Sequence, residues 1–224
     1  MAGFPPPEWT TLLVDLDDTV YPADSGVWDA ISDRMETYMR QKLGIPPEEL
    51  AQTRQALYQT YGTTLRGLQM TRHINERDFL QFVHDVPVEA LLRPNPELCR
   101  VLQMYPQRKV IFTNADRSHA RRVLRHLQIE PCFDAIIDIL DIAPYCKPMP
   151  QAFETALRLL GETDPARCVF VDDSPRNLAA ARALGFTTIC VGSHQPPPIC
   201  DASIARLEDL PQVLPPQKER ICDG

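Results

Sequence analysis

Nowhere in the 224 residues is there an apolar run long enough to span a bilayer. A basic excess is missing too: the formal net charge is −7, so neither a nucleic acid polymer nor an anionic membrane is an expected partner. No C-x-x-C pair occurs. The seven cysteines (Cys99, Cys132, Cys146, Cys168, Cys190, Cys200 and Cys222) are scattered and odd in number. Cys168 and Cys190 sit within apolar runs, where cysteine behaves as a small core hydrophobe. This usage argues against a zinc site and for a reducing, intracellular compartment. Met1 to Trp9 is proline-rich, with neither the basic region nor the apolar stretch of a secretory signal, so a cytoplasmic protein is expected. No internal repeat is visible, and nothing marks an oligomeric state. What remains, 44% hydrophobic and 24% charged, is the composition of an ordinary globular protein. The charge does fit a site that binds an anionic substrate through a metal and not through a basic surface.

The chain is organised around Thr11-Leu12-Leu13-Val14-Asp15-Leu16-Asp17-Asp18-Thr19. Its apolar start reads as a buried strand, and it runs directly into three carboxylates before Tyr21-Pro22. A strand that ends in acids places them at the carboxyl edge of a sheet, where open α/β folds bind ligands. Carboxylates this close repel one another unless a cation or proton intervenes, and Mg²⁺ is commonly held by one or two carboxylates plus phosphate oxygens. The plain alternative is an acidic turn capped by Asp18.

After Pro22 the pattern is helical. Val27, Ile31, Met35 and Tyr38 recur at helical spacing up to Gly44, and Pro46-Pro47 opens a second helix bearing Leu50, Leu57 and Tyr61, stopped at Gly62. Leu65 to Met70 reads as a connector. Asn75-Glu76-Arg77-Asp78 starts another helix with Phe79, Phe82 and Val83 on one face, and Leu98, Val101 and Leu102 mark one more. From Lys109 strands and helices alternate: strands at Val110–Phe112, Ala135–Ile137, Cys168–Val171 and Thr187–Val191, helices at Arg117–Leu127, Gln151–Leu160 and Asn177–Leu184. Alternation of this kind implies a three-layer, Rossmann-like α/β fold with a mostly parallel sheet. The core is expected at 1–24 and 95–224, with 25–94 inserted as a helical cap. Pro196-Pro197-Pro198 begins a tail with one short segment, Ile204 to Leu210, and the last ten residues are expected to be loosely held.

Four polar clusters follow strands. The first is the acidic one. The second, Thr113-Asn114, offers a hydroxyl, an amide and the free N–H groups of a following helix, and reads equally well as a phosphate cradle or an N-cap. The third is Lys147, set among prolines in Tyr145-Cys146-Lys147-Pro148-Met149-Pro150, able to reach a phosphate as a point charge. The fourth is Asp172-Asp173-Ser174-Pro175-Arg176-Asn177, where an N-cap explains one acid but not both. Together they supply a nucleophile, metal ligands, a hydroxyl and a cation, as phosphoryl transfer requires.

These residues resemble the haloacid dehalogenase (HAD) superfamily. Asp15-Leu16-Asp17-Asp18-Thr19 matches its D-x-D-x-T motif, followed in order by Thr113, Lys147 and Asp172-Asp173, and the similarity extends from about Thr11 to Gly192. The helical insertion resembles a C1-type cap. Asp17-Asp18-Thr19-Val20-Tyr21-Pro22 and Tyr61-Gly62-Thr63-Thr64-Leu65-Arg66-Gly67-Leu68 are similar to pyrimidine 5′-nucleotidases of the fungal and plant type. The resemblance implies that Asp15 is the nucleophile and Asp17 the acid and base. It implies Mg²⁺ on Asp15, the backbone carbonyl of Asp17 and Asp173, with Asp172 close by. Thr113, Asn114 and Lys147 would hold the phosphate of a small phosphorylated metabolite, and Arg66, His73 and Asn75 are the cap candidates for specificity. Other expectations stay open: a phosphatase for phosphoglycolate or a sugar phosphate, a phosphomutase, or a non-catalytic binding protein on the same fold.

Overall fold

The computed structural model describes residues 8–192 and 199–216. Six parallel strands form one sheet: β1 (Thr11–Val14), β2 (Arg108–Phe112), β3 (Ala135–Ile137), β4 (Cys168–Asp172), β5 (Thr187–Val191) and β6 (Ala202–Ile204), in the order β3-β2-β1-β4-β5-β6. The chain builds outward from β1 to β3 on one side, then returns to lay β4, β5 and β6 on the other. The two directions part at β1, which pairs Val14 with Ile111 of β2 and with Val171 of β4. That register brings Asp15, Thr113 and Asp172 to one edge, at the switch point where such sheets bind ligands.

Strand residues alternate between two cores because successive side chains point to opposite faces. Leu12, Val14, Ile111, Val169 and Val171 face one layer of helices, including α6 (Pro96–Gln103) and α7 (Arg117–His126). Leu13, Val110, Phe112 and Phe170 face the other layer, α8 (Pro150–Leu160) and α9 (Pro175–Ala183), through Phe153, Ala156, Leu178 and Ala181. Both faces are covered, so the strands read as continuous apolar runs. Each large side chain buried this way stabilises the fold by roughly 1.5–3 kcal/mol. The three-layer α/β expectation holds.

Between β1 and β2 lie α1 (Val27–Leu43), α2 (Leu50–Tyr61), α3 (Thr64–Arg72), α4 (Glu76–Val83) and α5 (Val88–Leu91). Tyr38, Met39, Leu57, Leu65, Leu68, Phe79 and Val83 form a core of their own, to which Ile139 and Cys146 contribute from the sheet side. Val27, Ile31, Val86, Val88 and Leu92 instead pack with the sheet. The helices between β1 and β2 are therefore anchored at both ends in the sheet's own core.

Two expectations need correcting. Leu65 to Met70 is not a connector but most of α3. Thr63 Oγ1 accepts from Arg66 N at 3.1 Å and starts the helix, and Gly67 lets it lie against α2, since a Cβ there would stand 2.6 Å from Leu57 Cδ2. Glycine costs a helix about 1 kcal/mol locally, and packing overrides that cost. The short segment expected at Ile204 to Leu210 is instead strand β6, ending at Ile204, followed by α10 (Leu210–Val213). Tyr105 Oη donates to Leu214 O at 2.7 Å and fastens this last stretch to the core. Pro196-Pro197-Pro198, Cys222 and most of the last ten residues lie outside the described residues. Among the described residues no helix is long and apolar enough to cross a membrane.

Candidate active site

Lys147 is the hinge of the arrangement. Its side chain is 1% exposed, and Nζ lies 2.8 Å from Asp15 Oδ1, 2.8 Å from Asp172 Oδ2 and 2.7 Å from Phe112 O. All three ammonium protons therefore have acceptors. The rings of Phe112 and Phe170 lie beneath it, each centroid 5.2 Å from Nζ. Burial would discharge the ammonium, but Asp15 and Asp172 outweigh that and raise its pKa, so it stays a cation. Asn114 fixes the backbone that carries it: Asn114 Nδ2 donates to Lys147 O and Lys147 N donates to Asn114 Oδ1, both at 2.9 Å. Lys147 and Asn114 thus spend these groups inside the protein, whereas the resemblance assigns both to the phosphate. Thr113, 1% exposed, accepts from Ala115 N at 2.9 Å, and its hydroxyl proton has no acceptor among the described residues.

Oxygens of Asp15, Asp172 and Asp173 lie within 4.8 Å of one another. Asp172 is fully buried and saturated: Oδ1 accepts from Ser174 N (2.8 Å) and Asn177 Nδ2 (3.1 Å), Oδ2 from Lys147. Asp173 accepts a long hydrogen bond from Thr19 Oγ1 at 3.5 Å and borders a cleft of about 630 Å³ together with Asp15, Asp17, Asp18, Thr113 and Lys147. Burial, against the pull of Lys147, pushes the Asp15 carboxyl well above the usual range, and Asp172 and Asp173 add to it. Burial and the charges of Asp172 and Asp18 push Asp173 up to about 7. Asp18, in the left-handed region at φ 58°, is pushed up to about 6 by burial and by Asp17 and Asp29, and its buried Oδ1 has no partner among the described residues. Three carboxylates and one ammonium leave two net negative charges, and the donors are all hard oxygens. That set fits one divalent hard cation.

Asp17, although two residues from Asp15, lies outside that trio. Its Oδ1 accepts from Tyr21 Oη at 2.5 Å and from His119 Nε2 at 3.0 Å. Burial pushes the Asp17 carboxyl up, but His119 and the Tyr21 bond prevail and hold it below the usual range. His119 stacks on His84, ring centroids 4.4 Å apart and 15° from parallel. His84 Nδ1 in turn meets Asp116 Oδ2 at 2.5 Å, and Asp116 Oδ1 caps α7 by accepting from Ser118 N and His119 N. Burial holds the His84 pKa below its ordinary value despite Asp116. Tyr21, His84, Asp116 and His119 were not among the residues singled out from sequence. The available signal was Asp116, a capping acid two residues after Asn114 at the end of β2.

The cap candidates lie elsewhere. Arg66 is 5% exposed and does not border the cleft. Its guanidinium donates to Ile139 O (2.7 Å), Tyr145 O (3.1 and 3.3 Å), Gln69 Oε1 (2.7 Å) and Glu76 Oε2 (3.3 Å). Five N–H groups are thereby engaged, tying α3 to the loop before Lys147. His73 closes α3 in the left-handed region and Asn75 caps α4, accepting from Asp78 N at 3.0 Å. The helical segment's wall of the cleft includes Trp28, Met35, Arg54, Gln55, Tyr58 and the 62–65 stretch.

Comparison with known proteins agrees with this fold. Phosphate metabolism protein 8 of Saccharomyces cerevisiae is 28% identical over 198 residues, 81% of this chain and 61% of that protein. Beta-phosphoglucomutase of Bacillus subtilis is 30% identical over 139 residues, 62% of this chain and 59% of that protein. The chain spans about six-tenths of the length of these curated relatives. Among solved structures, a HAD phosphatase from Thermococcus onnurineus superposes with a TM-score of 0.61 at 20% identity, covering 93% of this chain and 99% of that one. A magnesium-bound HAD-hydrolase from Bacillus subtilis gives 0.59 at 19% identity, covering 93% and 99%. The family model of the haloacid dehalogenase-like hydrolases matches residues 9–185, most of the described fold with the four polar strand ends included, and the chain belongs to that family.

Proposed function

We propose that the protein is a Mg²⁺-dependent phosphomonoester hydrolase working through an aspartyl-phosphate on Asp15, with nucleoside 5′-monophosphates, pyrimidine ones foremost, as substrates. The observation that carries this reading is the parting of two carboxylates two residues apart. Asp15 is gripped by Lys147 among other acids, while Asp17 is turned to Tyr21 and His119. Different surroundings give two carboxylates different roles. An Asp15 oxygen attacks phosphorus, the bond from phosphorus to the leaving oxygen breaks, and Asp17 supplies that oxygen with a proton. Water then attacks the phosphorus of the acyl phosphate, Asp17 takes its proton, and phosphate and free Asp15 result. A phosphate arriving beside Asp17 adds like charge and raises its pKa toward the protonated form that the first step requires.

Asp15, Asp173 and the backbone carbonyl of Asp17 would hold Mg²⁺, which when bound offsets the negative charge of acids and phosphate. The saturation of Asp172 supports Asp173 as the direct ligand. Thr113 is left as the hydroxyl donor to a phosphate oxygen. Carbon–halogen cleavage is disfavoured because halide leaves without a proton and has no use for Asp17 as an acid. The 25–94 insertion would act as a cap that closes over the site. Half-exposed Trp28 and Tyr58 beside Gln55 supply aromatic faces and an amide suited to a base. The names of two relatives, a phosphate metabolism protein and a phosphoglucomutase, accord with phosphoryl chemistry.

The test is phosphate release with Mg²⁺ from UMP, CMP, AMP, GMP, phosphoglycolate and several sugar phosphates. Preference for UMP and CMP is expected. Preference for a non-nucleotide keeps the chemistry and discards the substrate. Interconversion of sugar phosphates without release makes the protein a mutase, and inertness with Mg²⁺ bound makes it a binding protein.

A further inference from the structure

Both donors to Asp17 reach the same atom. Tyr21 Oη and His119 Nε2 converge on Oδ1, and Oδ2 has no hydrogen-bond partner among the described residues. The carboxylate is therefore pinned at one oxygen and left open at the other, on the wall of the cleft. The His119 ring is wholly buried, 0% exposed, and its Nδ1 has no partner among the described residues. A bare Nδ1 lone pair is tolerable there, whereas an Nδ1–H would be an orphaned buried donor. The imidazole thus carries its hydrogen on Nε2, the atom that faces Asp17.

What keeps the ring in place lies beyond it. His84 directly follows α4, borders the cleft, and stacks flat on His119. Asp116 holds His84 through Oδ2 and the first turn of α7 through Oδ1, including the N–H of His119 itself. The result is a short closed chain from the end of the helical insertion, through the amino end of α7, to Asp17.

We infer that His119, braced by His84 and Asp116, is a positioning residue that fixes Oδ1 of Asp17 and so presents Oδ2 as the oxygen that exchanges the proton with the leaving group. The inference rests on the reading of Asp17 as the acid, and it specifies which oxygen acts and what aims it. It also makes the insertion part of the aim, because His84 lies at its return to the sheet.

The discriminating property is the leaving group. An alkyl oxygen departs poorly without a proton, whereas p-nitrophenolate departs well as the anion, so misplacing the acid harms the first and largely spares the second. The experiment compares kcat and KM of His119→Ala, His119→Gln and His84→Phe on UMP, or the best alkyl ester of the panel above, and on p-nitrophenyl phosphate. For His119→Ala, kcat/KM on the alkyl ester, which ends at departure of the leaving group and so excludes the hydrolysis step that both esters share, should fall about tenfold to a hundredfold. The loss on p-nitrophenyl phosphate should be several times smaller. Glutamine, whose amide N–H can reach the same oxygen, should recover most of it. His84→Phe keeps a ring in the stack but loses Asp116, and should show a weaker selective loss. It carries the test with His119→Gln should His119→Ala not fold. Equal losses on both esters, or glutamine no better than alanine, overturn the inference. Asp17→Asn is the control: if its own loss of kcat/KM is the same on both esters, the acid reading of Asp17 fails, whatever His119 does.

Discussion

Asp15 and Asp17 are neighbours but one, yet Oδ1 of the first lies 2.8 Å from the Lys147 ammonium and Oδ1 of the second 3.0 Å from the His119 imidazole. Strand geometry alone would send both side chains to one face. The strand ends at Val14, and the chain turns from Leu16, whose carbonyl accepts from Thr19 N and Val20 N, so the alternation stops before Asp17 and the two carboxylates separate. Each carboxylate then has its own partner, and each partner is fixed from behind: Lys147 by Asn114, His119 by His84.

Removing the Lys147 charge should destabilise the protein severely. Lys147→Met leaves Asp15 and Asp172 buried without their cation, a change that costs about 3–5 kcal/mol in comparable buried pairs. Millimolar Mg²⁺ should return part of the loss, because it supplies positive charge to the same acids. Thermal melting with and without Mg²⁺ checks this, and a variant as stable as the parent in EDTA contradicts it.

Metal-free protein should lose stability as the pH rises. Asp173 is pushed up to about 7 and Asp18 to about 6, above the ordinary 3.8. Between about pH 4 and 7 the folded state binds more protons than the unfolded, so stability falls as pH climbs through that window. Melting in EDTA should therefore be higher at pH 5 than at pH 8, with Asp173→Asn flattening the difference. Mg²⁺ binding at pH 6 should release protons, seen calorimetrically as an enthalpy that depends on the buffer. An enthalpy independent of buffer would count against the assignment.

Arg66→Ala should damage the fold, not the grip on phosphate. The substitution strands the buried carbonyl of Ile139, at roughly 1–3 kcal/mol for an unsatisfied buried group, and frees the half-buried carbonyl of Tyr145 to water. Lysine should not rescue it, having no planar fork to span the two. Denaturant unfolding should show the loss, while inhibition of the folded fraction by inorganic phosphate stays the same. A tenfold weaker inhibition with unchanged stability would restore Arg66 to the substrate.

Much of this was legible from sequence. The ends of β1, β2 and β4 stood out because strands covered on both faces are continuously apolar and stop abruptly at polar residues. The sheet, the insertion and the cluster of Asp15, Thr113, Lys147, Asp172 and Asp173 at one edge follow from that. What escaped depends on distant partners. Helix α3 holds a glycine whose reason is the side chain of Leu57 on another helix. The three residues of β6 become a strand only against β5. His84 and His119, separated by a whole helix–strand unit, each look like an ordinary helix residue. The role of Arg66 is set by carbonyls more than seventy residues away, which no local pattern encodes.

The most direct measurement is rapid quenching of the Mg²⁺-loaded protein during turnover, followed by mass spectrometry of the peptide that contains Asp15 to Asp18. With p-nitrophenyl phosphate, whose leaving group departs without a proton, Asp17→Asn should accumulate the intermediate, since the water that hydrolyses it lacks its base. The expected result is one phosphoryl group on Asp15 in that variant, and neither label nor turnover in a folded Asp15→Asn. Steady phosphate release with no label on Asp15, or near-normal activity of Asp15→Asn, would contradict the nucleophile assignment.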